Sequence, residues 1–233
     1  MFNGKMKAVT FSYDDGVRQD IPLIDIFNKY GLKATFNLNS CLLGYPNKIV
    51  RENVEIDHTK VHIYEVPEIY KGHEVALHTL YHHNLTAIDD ESVIIKEVDY
   101  DRRNLELITG LPVVGMAYPC GGVNNDDRVA DIIAKNTSIK YARTITSTHN
   151  FDLQENLLRF NPSVYHMDMD KMFELGEQFI ELKPDKPQIF YIWGHSYEFD
   201  IFNSWRKFEE FCKLISDHSD IFYGTNKEVL LSK

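Results

Sequence analysis

Cysteine is scarce in this chain. There are three in 233 residues, Cys41, Cys120 and Cys212, and no CxxC pair. An odd, scattered count argues against a disulfide framework and against a zinc site built on thiolates, and it fits a reducing compartment. A basic run is also missing. With 25 basic against 35 acidic residues the formal charge is −10, which is a poor match for a phosphate backbone, so nucleic acid is not an expected partner. The excess acid reads as solubility. No apolar stretch approaches the roughly 20 residues that span a bilayer, and the opening MFNGKMKAVTFSYDDG has no apolar signal core. No membrane association and a cytoplasmic location are therefore expected. Repeats, low-complexity tracts and composition shifts are absent too, so residues 1–233 are expected to form a single domain.

What is present is an alternation. Hydrophobic residues make up 43% of the chain, enough for a sizeable core. Short apolar strands are expected at 7–13, 33–39, 75–77, 113–118, 141–145, 188–195 and 221–223. Amphipathic helices are expected at 20–30, 66–71, 89–108, 126–136, 170–181 and 204–216. This order predicts an α/β fold with a mostly parallel sheet or barrel of about seven strands. Of two further stretches, 40–65 is polar, has no clean period and reads as a long loop or insertion, and 146–167 reads as irregular. Loops of such length are uncommon unless functional or structured, and the first is expected to wall a cleft.

Polar residues gather where the strands run out. Asp14 and Asp15 follow the first strand and precede Gly16, which supplies a turn. Adjacent strand residues face opposite ways, so both aspartates reach one site only if the strand stops there. His78 and His82 follow Val75–Leu77; neutral imidazole is the commonest metal ligand. Cys120, Arg143 and His195 end three further strands. Taken singly, Asp-Asp-Gly is most often a turn and such histidines are usually structural. All seven fall at the C-terminal rim, where barrels and open α/β sheets place catalytic groups.

The motifs at these ends resemble those of the polysaccharide deacetylase family, metal-dependent carbohydrate esterases on a distorted (β/α) barrel. Ser12-Tyr13-Asp14-Asp15-Gly16 is similar to T-F-D-D-G, and His78-Thr79-Leu80-Tyr81-His82 to H-[ST]-x-x-H. Ala117-Tyr118-Pro119-Cys120-Gly121 is similar to R-x-P-[YF]-G, and Trp193-Gly194-His195 to L-x-H. The resemblance implies one divalent metal on Asp15, His78 and His82, with Asp14 as general base and His195 as general acid. It assigns the backbone N–H of Cys120 to the oxyanion. Zinc suits the ligand set, and cobalt, nickel and iron also fit its chemistry. The implied substrate is an N- or O-acetylated saccharide; the oligomeric state is left open.

Two departures stand out. The motif arginine is Ala117, and Arg143 is expected to supply the guanidinium from the next strand. The motif aromatic is Cys120. No carboxylate is singled out to orient His195; Asp168, Asp170 and Asp200 are candidates. His73, His83 and His166 read as supporting or structural, and Tyr118, Trp193 and Tyr197 as core or sugar-stacking residues. The altered third motif leaves room for an allantoinase-like hydrolysis of a cyclic amide on the same fold. A catalytically vestigial carbohydrate-binding protein is the third alternative, against which the retained Asp14 argues.

Overall fold

The computed structural model describes residues 1–232. In chain order its elements are β1 (Lys7–Asp14), α1 (Asp20–Lys29), β2 (Ala34–Leu38), β3 (Lys48–Arg51), β4 (Val54–Asp57) and α2 (Val66–Ile69). Then come β5 (Glu74–Leu77), α3 (Glu91–Thr109), β6 (Gly115–Ala117), α4 (Asp127–Asn136), β7 (Tyr141–Arg143) and β8 (Val164–Tyr165). The last third holds α5 (Met169–Glu181), β9 (Gln188–Gly194), α6 (Glu198–Ile201), α7 (Trp205–Ile215), β10 (Ile221–Tyr223) and α8 (Asn226–Leu230).

The main sheet is parallel throughout, in the order β7-β6-β5-β2-β1-β9-β8. β1 sits at its centre and is buried along its whole length. One edge of β1 is shared: β10 pairs with Lys7–Val9, and β2 takes over from Phe11 to Asp14. A parallel sheet with both faces covered needs strands that are apolar on both sides; β9 meets that condition, while β2, equally buried, carries Thr35 and Asn37 on the face opposite Ala34, Phe36 and Leu38. The two ends of the sheet meet through the residues leading into β8. Phe160 donates its N–H to Ala142 O (2.9 Å) and accepts from Thr144 N–H (2.9 Å), while Ser163 N–H bonds Tyr191 O (2.8 Å). The sheet thereby curls into the distorted barrel expected from the sequence.

Helices α1, α5 and α7 seat aromatic and aliphatic side chains on the sheet. Phe11, Phe27, Phe199, Phe208 and Phe211 lie within one buried cluster. Helix ends follow their sequence signals: Asp90 and Asp126 accept from the first-turn amides of α3 and α4, and Gly110 ends α3 in the left-handed region at φ 70. No helix among the described residues is long and apolar enough to cross a membrane.

Three expectations need correction. Residues 40–65 are not simply a loop. They contain an antiparallel hairpin, β3 paired with β4, that stands largely in solvent; only Ile49 and Ile56 turn inward, onto Val17 and Tyr197, too few to give the alternation that betrays a strand. The irregular 146–167 contains β8. Helices α6 and α8, four and five residues long, were not anticipated because each is too short to show a helical period.

Candidate metal centre and active site

The turn after β1 explains how consecutive aspartates serve one site. Asp14 is the last strand residue. Asp15 then takes φ 84 and Gly16 φ 60, reversing the chain. A methyl at Gly16 would lie 2.7 Å from Leu38 Cδ2, so the position is closed to side chains as well as strained for them.

Asp14 is directed inward and almost wholly buried. The register Asp14↔Asn37 brings Asn37 Nδ2 to Asp14 Oδ1 at 2.8 Å. On the other oxygen, Arg143 donates through Nη2. Arg143 is itself fully buried, with Nη1 on Thr144 O (2.9 Å) and its guanidinium over the Trp193 ring at 4.4 Å. Burial pushes the Asp14 carboxyl up, but the charges of Arg143, His78 and His195 outweigh that and hold it below the usual range. Asp14 is thus a carboxylate at neutral pH.

Asp15, His78 and His82 come together with candidate ligand atoms within 4.8 Å of one another. His82 Nε2 is 3.5 Å from Asp15 Oδ1. The register Leu77↔Met116 sets His78 beside Ala117, whose carbonyl accepts from His78 Nδ1–H at 2.8 Å. That bond fixes the tautomer and leaves the lone pair on Nε2. The backbone N–H of His78 goes to Leu38 O (2.8 Å) and to Asp101 Oδ2 (3.2 Å). Burial pulls the His78 pKa down to about 4 and lowers that of His82, so both imidazoles are neutral at pH 7. Two neutral imidazoles and one carboxylate are the donor set of a mononuclear divalent site with positions left for water and substrate, so the residues present fit such an ion.

Asp15 (φ 84), His82 (φ 63) and Cys120 (φ 70) all occupy the left-handed region. Each costs on the order of 1–3 kcal/mol, and such residues cluster at functional sites. Cys120 lies at the cleft with its thiol 3.5 Å from His82 O and 3.8 Å from His82 Nδ1. Asn124 Nδ2 holds the turn through Tyr118 O (3.1 Å) and Cys120 O (2.8 Å).

His195 follows β9, with Nε2 4.0 Å from Asp14 Oδ2. Its orienting carboxylate is Glu198, one turn on in α6. Glu198 Oε2 accepts from His195 Nδ1–H (3.1 Å), from His195 N–H (3.1 Å) and from His166 Nε2–H (2.7 Å), while Oε1 accepts from Tyr165 Oη. Tyr13 Oη in turn donates to His166 Nδ1 at 3.1 Å. Burial alone would lower the His195 pKa; the charge and hydrogen bond of Glu198 override it and raise it to about 9. Glu198 is correspondingly held far below its ordinary value despite burial, by His195 and then by His166. The three carboxylates first considered lie elsewhere. Asp168 starts α5, Asp170 pairs with Lys207 (2.7 Å), and Asp200 accepts from Gln19 (3.0 Å) and Trp205 (2.7 Å). The usable signal was His195-x-x-Glu198, an i,i+3 pair.

Two more residues reach Asp15 from the segment after the hairpin. His58 Nε2 is 3.4 Å from Oδ2, with Asn47 Nδ2 3.5 Å from its other nitrogen, and Lys60 Nζ is 3.5 Å from Oδ1. Against the upward push of burial, the Lys60 charge and the His58 hydrogen bond hold Asp15 well below the usual carboxylate range. Nothing in the pattern of 40–65 marks either residue. Asp14, Asp15, His58, Lys60, His78, His82, Cys120, His195 and Glu198 line one cleft of about 680 Å3, walled by Tyr45, Ile49, Arg51, Tyr165, Trp193 and Tyr197. His73 and His83 lie off it, bonded to the Ala34 amide and to Glu97.

Against known proteins, the polysaccharide deacetylase family model matches residues 3–139. No curated protein shows a significant match. A putative polysaccharide deacetylase from Mycobacterium smegmatis superposes with TM-score 0.65 at 15% identity, over 98% of this chain and 90% of that one. The Streptococcus pyogenes deacetylase PplD, in complex with acetate, gives TM-score 0.52 at 20% identity, over 64% of this chain and 61% of its own length. A CE4 family pseudoenzyme from Bacillus anthracis gives TM-score 0.52 at 18% identity, over 99% and 66%. At such identities the structures speak to the fold, whereas the family model covers more than half of the sequence. The chain belongs to the polysaccharide deacetylase family.

Proposed function

We propose that this protein is a metal-dependent hydrolase that removes acetyl groups from an N- or O-acetylated saccharide. One observation carries the reading: the Asp15/His78/His82 triad, the Arg143-held Asp14 and the Glu198-held His195 converge on a single cleft. Asp15, His78 and His82 hold the divalent ion, zinc by preference, with cobalt, nickel and iron also compatible. When bound, the ion supplies Lewis acidity toward the acetyl carbonyl and the attacking water.

The remaining chemistry belongs to the chain. Asp14, ionised at neutral pH, accepts the proton of the water as it attacks the acetyl carbonyl. Arg143 keeps that carboxylate charged and aimed, the part taken in the family by the arginine that Ala117 replaces. The Cys120 N–H donates to the oxyanion. His195, protonated at neutral pH, gives its Nε2 proton to the leaving amine or alkoxide, and Glu198 stabilises the imidazolium until it does. Acetate and a deacetylated saccharide leave. The retention of both Asp14 and His195, each with a charged partner, favours an active enzyme over a vestigial site.

The test is acetate release from acetylated chitooligosaccharides and from acetylxylan, with and without chelator, after loading with zinc, cobalt, nickel or iron. Chelator-sensitive release on either substrate is expected. No release on any acetylated glycan with any of the metals would remove the proposal, and a parallel ring-opening assay on a cyclic amide distinguishes the allantoinase-like alternative.

A further inference from the structure

The ammonium of Lys60 is an unusual neighbour for a metal-binding carboxylate. Lys60 is 5% exposed, and its Nζ lies 3.5 Å from Asp15 Oδ1, the same oxygen that His82 Nε2 faces at 3.5 Å. Its position is built into the backbone. Residues 59–61 run antiparallel to the turn that carries Asp15: Arg18 N–H bonds Thr59 O (3.0 Å), Val61 N–H bonds Gly16 O (2.8 Å), and Val17 bridges Lys60. On its other side the Lys60 N–H goes to Tyr45 O at 3.0 Å. With main chain pinned on both sides and the side chain enclosed, the ammonium has little room to withdraw.

We propose that Lys60 is a resident competitor of the metal ion: its fixed positive charge shares Asp15 with the ion, so this chain binds a divalent cation more weakly than its Asp/His/His set would without it. This inference rests on the metal-site reading given above. The physical basis is plain. Without the ion, Lys60 neutralises Asp15 in a poorly solvated place. With the ion, two cations crowd one carboxylate where screening by water is weak. A compact ammonium cannot spread that charge.

The experiment titrates metal-free protein with Zn2+ against a chromophoric chelator near pH 7.5, for wild type, Lys60→Met and Lys60→Arg. Methionine keeps most of the aliphatic stem and removes the charge; arginine keeps the charge. The expected result is a zinc Kd at least tenfold lower in Lys60→Met, with Lys60→Arg within about twofold of wild type. Where Lys60→Met does not fold, by circular dichroism, Lys60→Gln carries the same comparison. Equal or weaker zinc binding by the uncharged variant overturns the inference and leaves the metal site standing. No zinc binding by any of the proteins overturns the metal site, and the inference with it.

Discussion

Replacing Glu198 by glutamine removes one charge and almost no volume, which makes it a direct probe of the proposed acid. Three of the four donors on Glu198 converge on Oε2. A glutamine carbonyl placed there keeps them, and its NH2 then faces Tyr165 Oη, which can turn to accept. The charge is what is lost. His195 stands at about 9 against an ordinary value of 6.5, and that gap of about 2.5 corresponds to roughly 3.4 kcal/mol of preference for the imidazolium. Glu198 is the main source of the rise, with Asp15 and Asp14 adding to it and burial acting in the opposite direction, so the variant's His195 falls toward its ordinary 6.5. Near pH 7.5 the protonated fraction drops from roughly 0.97 to roughly 0.1, so kcat/KM falls about tenfold there and recovers on acidification. The alkaline limb of kcat/KM is the assay, paired with an NMR titration of His195 in metal-free protein. For stability the sign is fixed: a raised histidine contributes fully below 6.5 and loses its contribution as pH rises through about 9. An alkaline limb and a His195 titration that stay within half a unit of wild type in Glu198→Gln would refute the assignment of Glu198.

Three further outcomes follow from the geometry. Arg143→Met leaves Asp14 buried without its main countercharge; it should lose about 3–5 kcal/mol in urea unfolding, and the acid limb of activity should move to higher pH because burial then governs the Asp14 carboxyl. Gly194→Ala places a methyl 2.3 Å from His166 Cδ2, and this overpacking should cost about 1–3 kcal/mol or more by the same measurement, with the His195 resonance shifted. His78→Ala removes a proposed metal ligand whose neutral state needs no deprotonation at pH 7. Wild type should gain about 2.7 kcal/mol of stability at a zinc concentration 100 times its Kd, read as a rise in Tm, and the variant should show none of it at the same concentration.

Much of the fold was legible because parallel strands buried on both faces read as apolar runs, as in Gln188–Gly194, and because the polar residues ending them share one rim. The α/β class and its parallel strands followed from those two facts, and the family and its distorted barrel from the resemblance of the motifs around Asp14-Asp15-Gly16 and His78–His82. Other elements left no such trace. The β3–β4 hairpin turns only Ile49 and Ile56 inward, onto Val17 and Tyr197, so its pattern barely answers to a core. His58 and Lys60 therefore looked like loop residues, although backbone pairing with the Asp15 turn carries them to the centre of the site. Glu198 leaves little trace in the sequence because α6 is a single turn, too short to show a helical period. His166 reads as an ordinary structural histidine until the close approach at Gly194 and the bond to Glu198 are seen together.

The seam where the curled sheet meets itself has a dynamic consequence. Arg143 and Phe160 face each other across it, and the same short run of chain continues to His166 against β9. Breathing at that seam would loosen the guanidinium on Asp14 and the imidazole on Glu198 in one motion. The proposed proton acceptor and proton donor would then fail together, and slow amide exchange at Thr144, Phe160 and Ser163 becomes a readout of how often the proposed catalytic set is assembled.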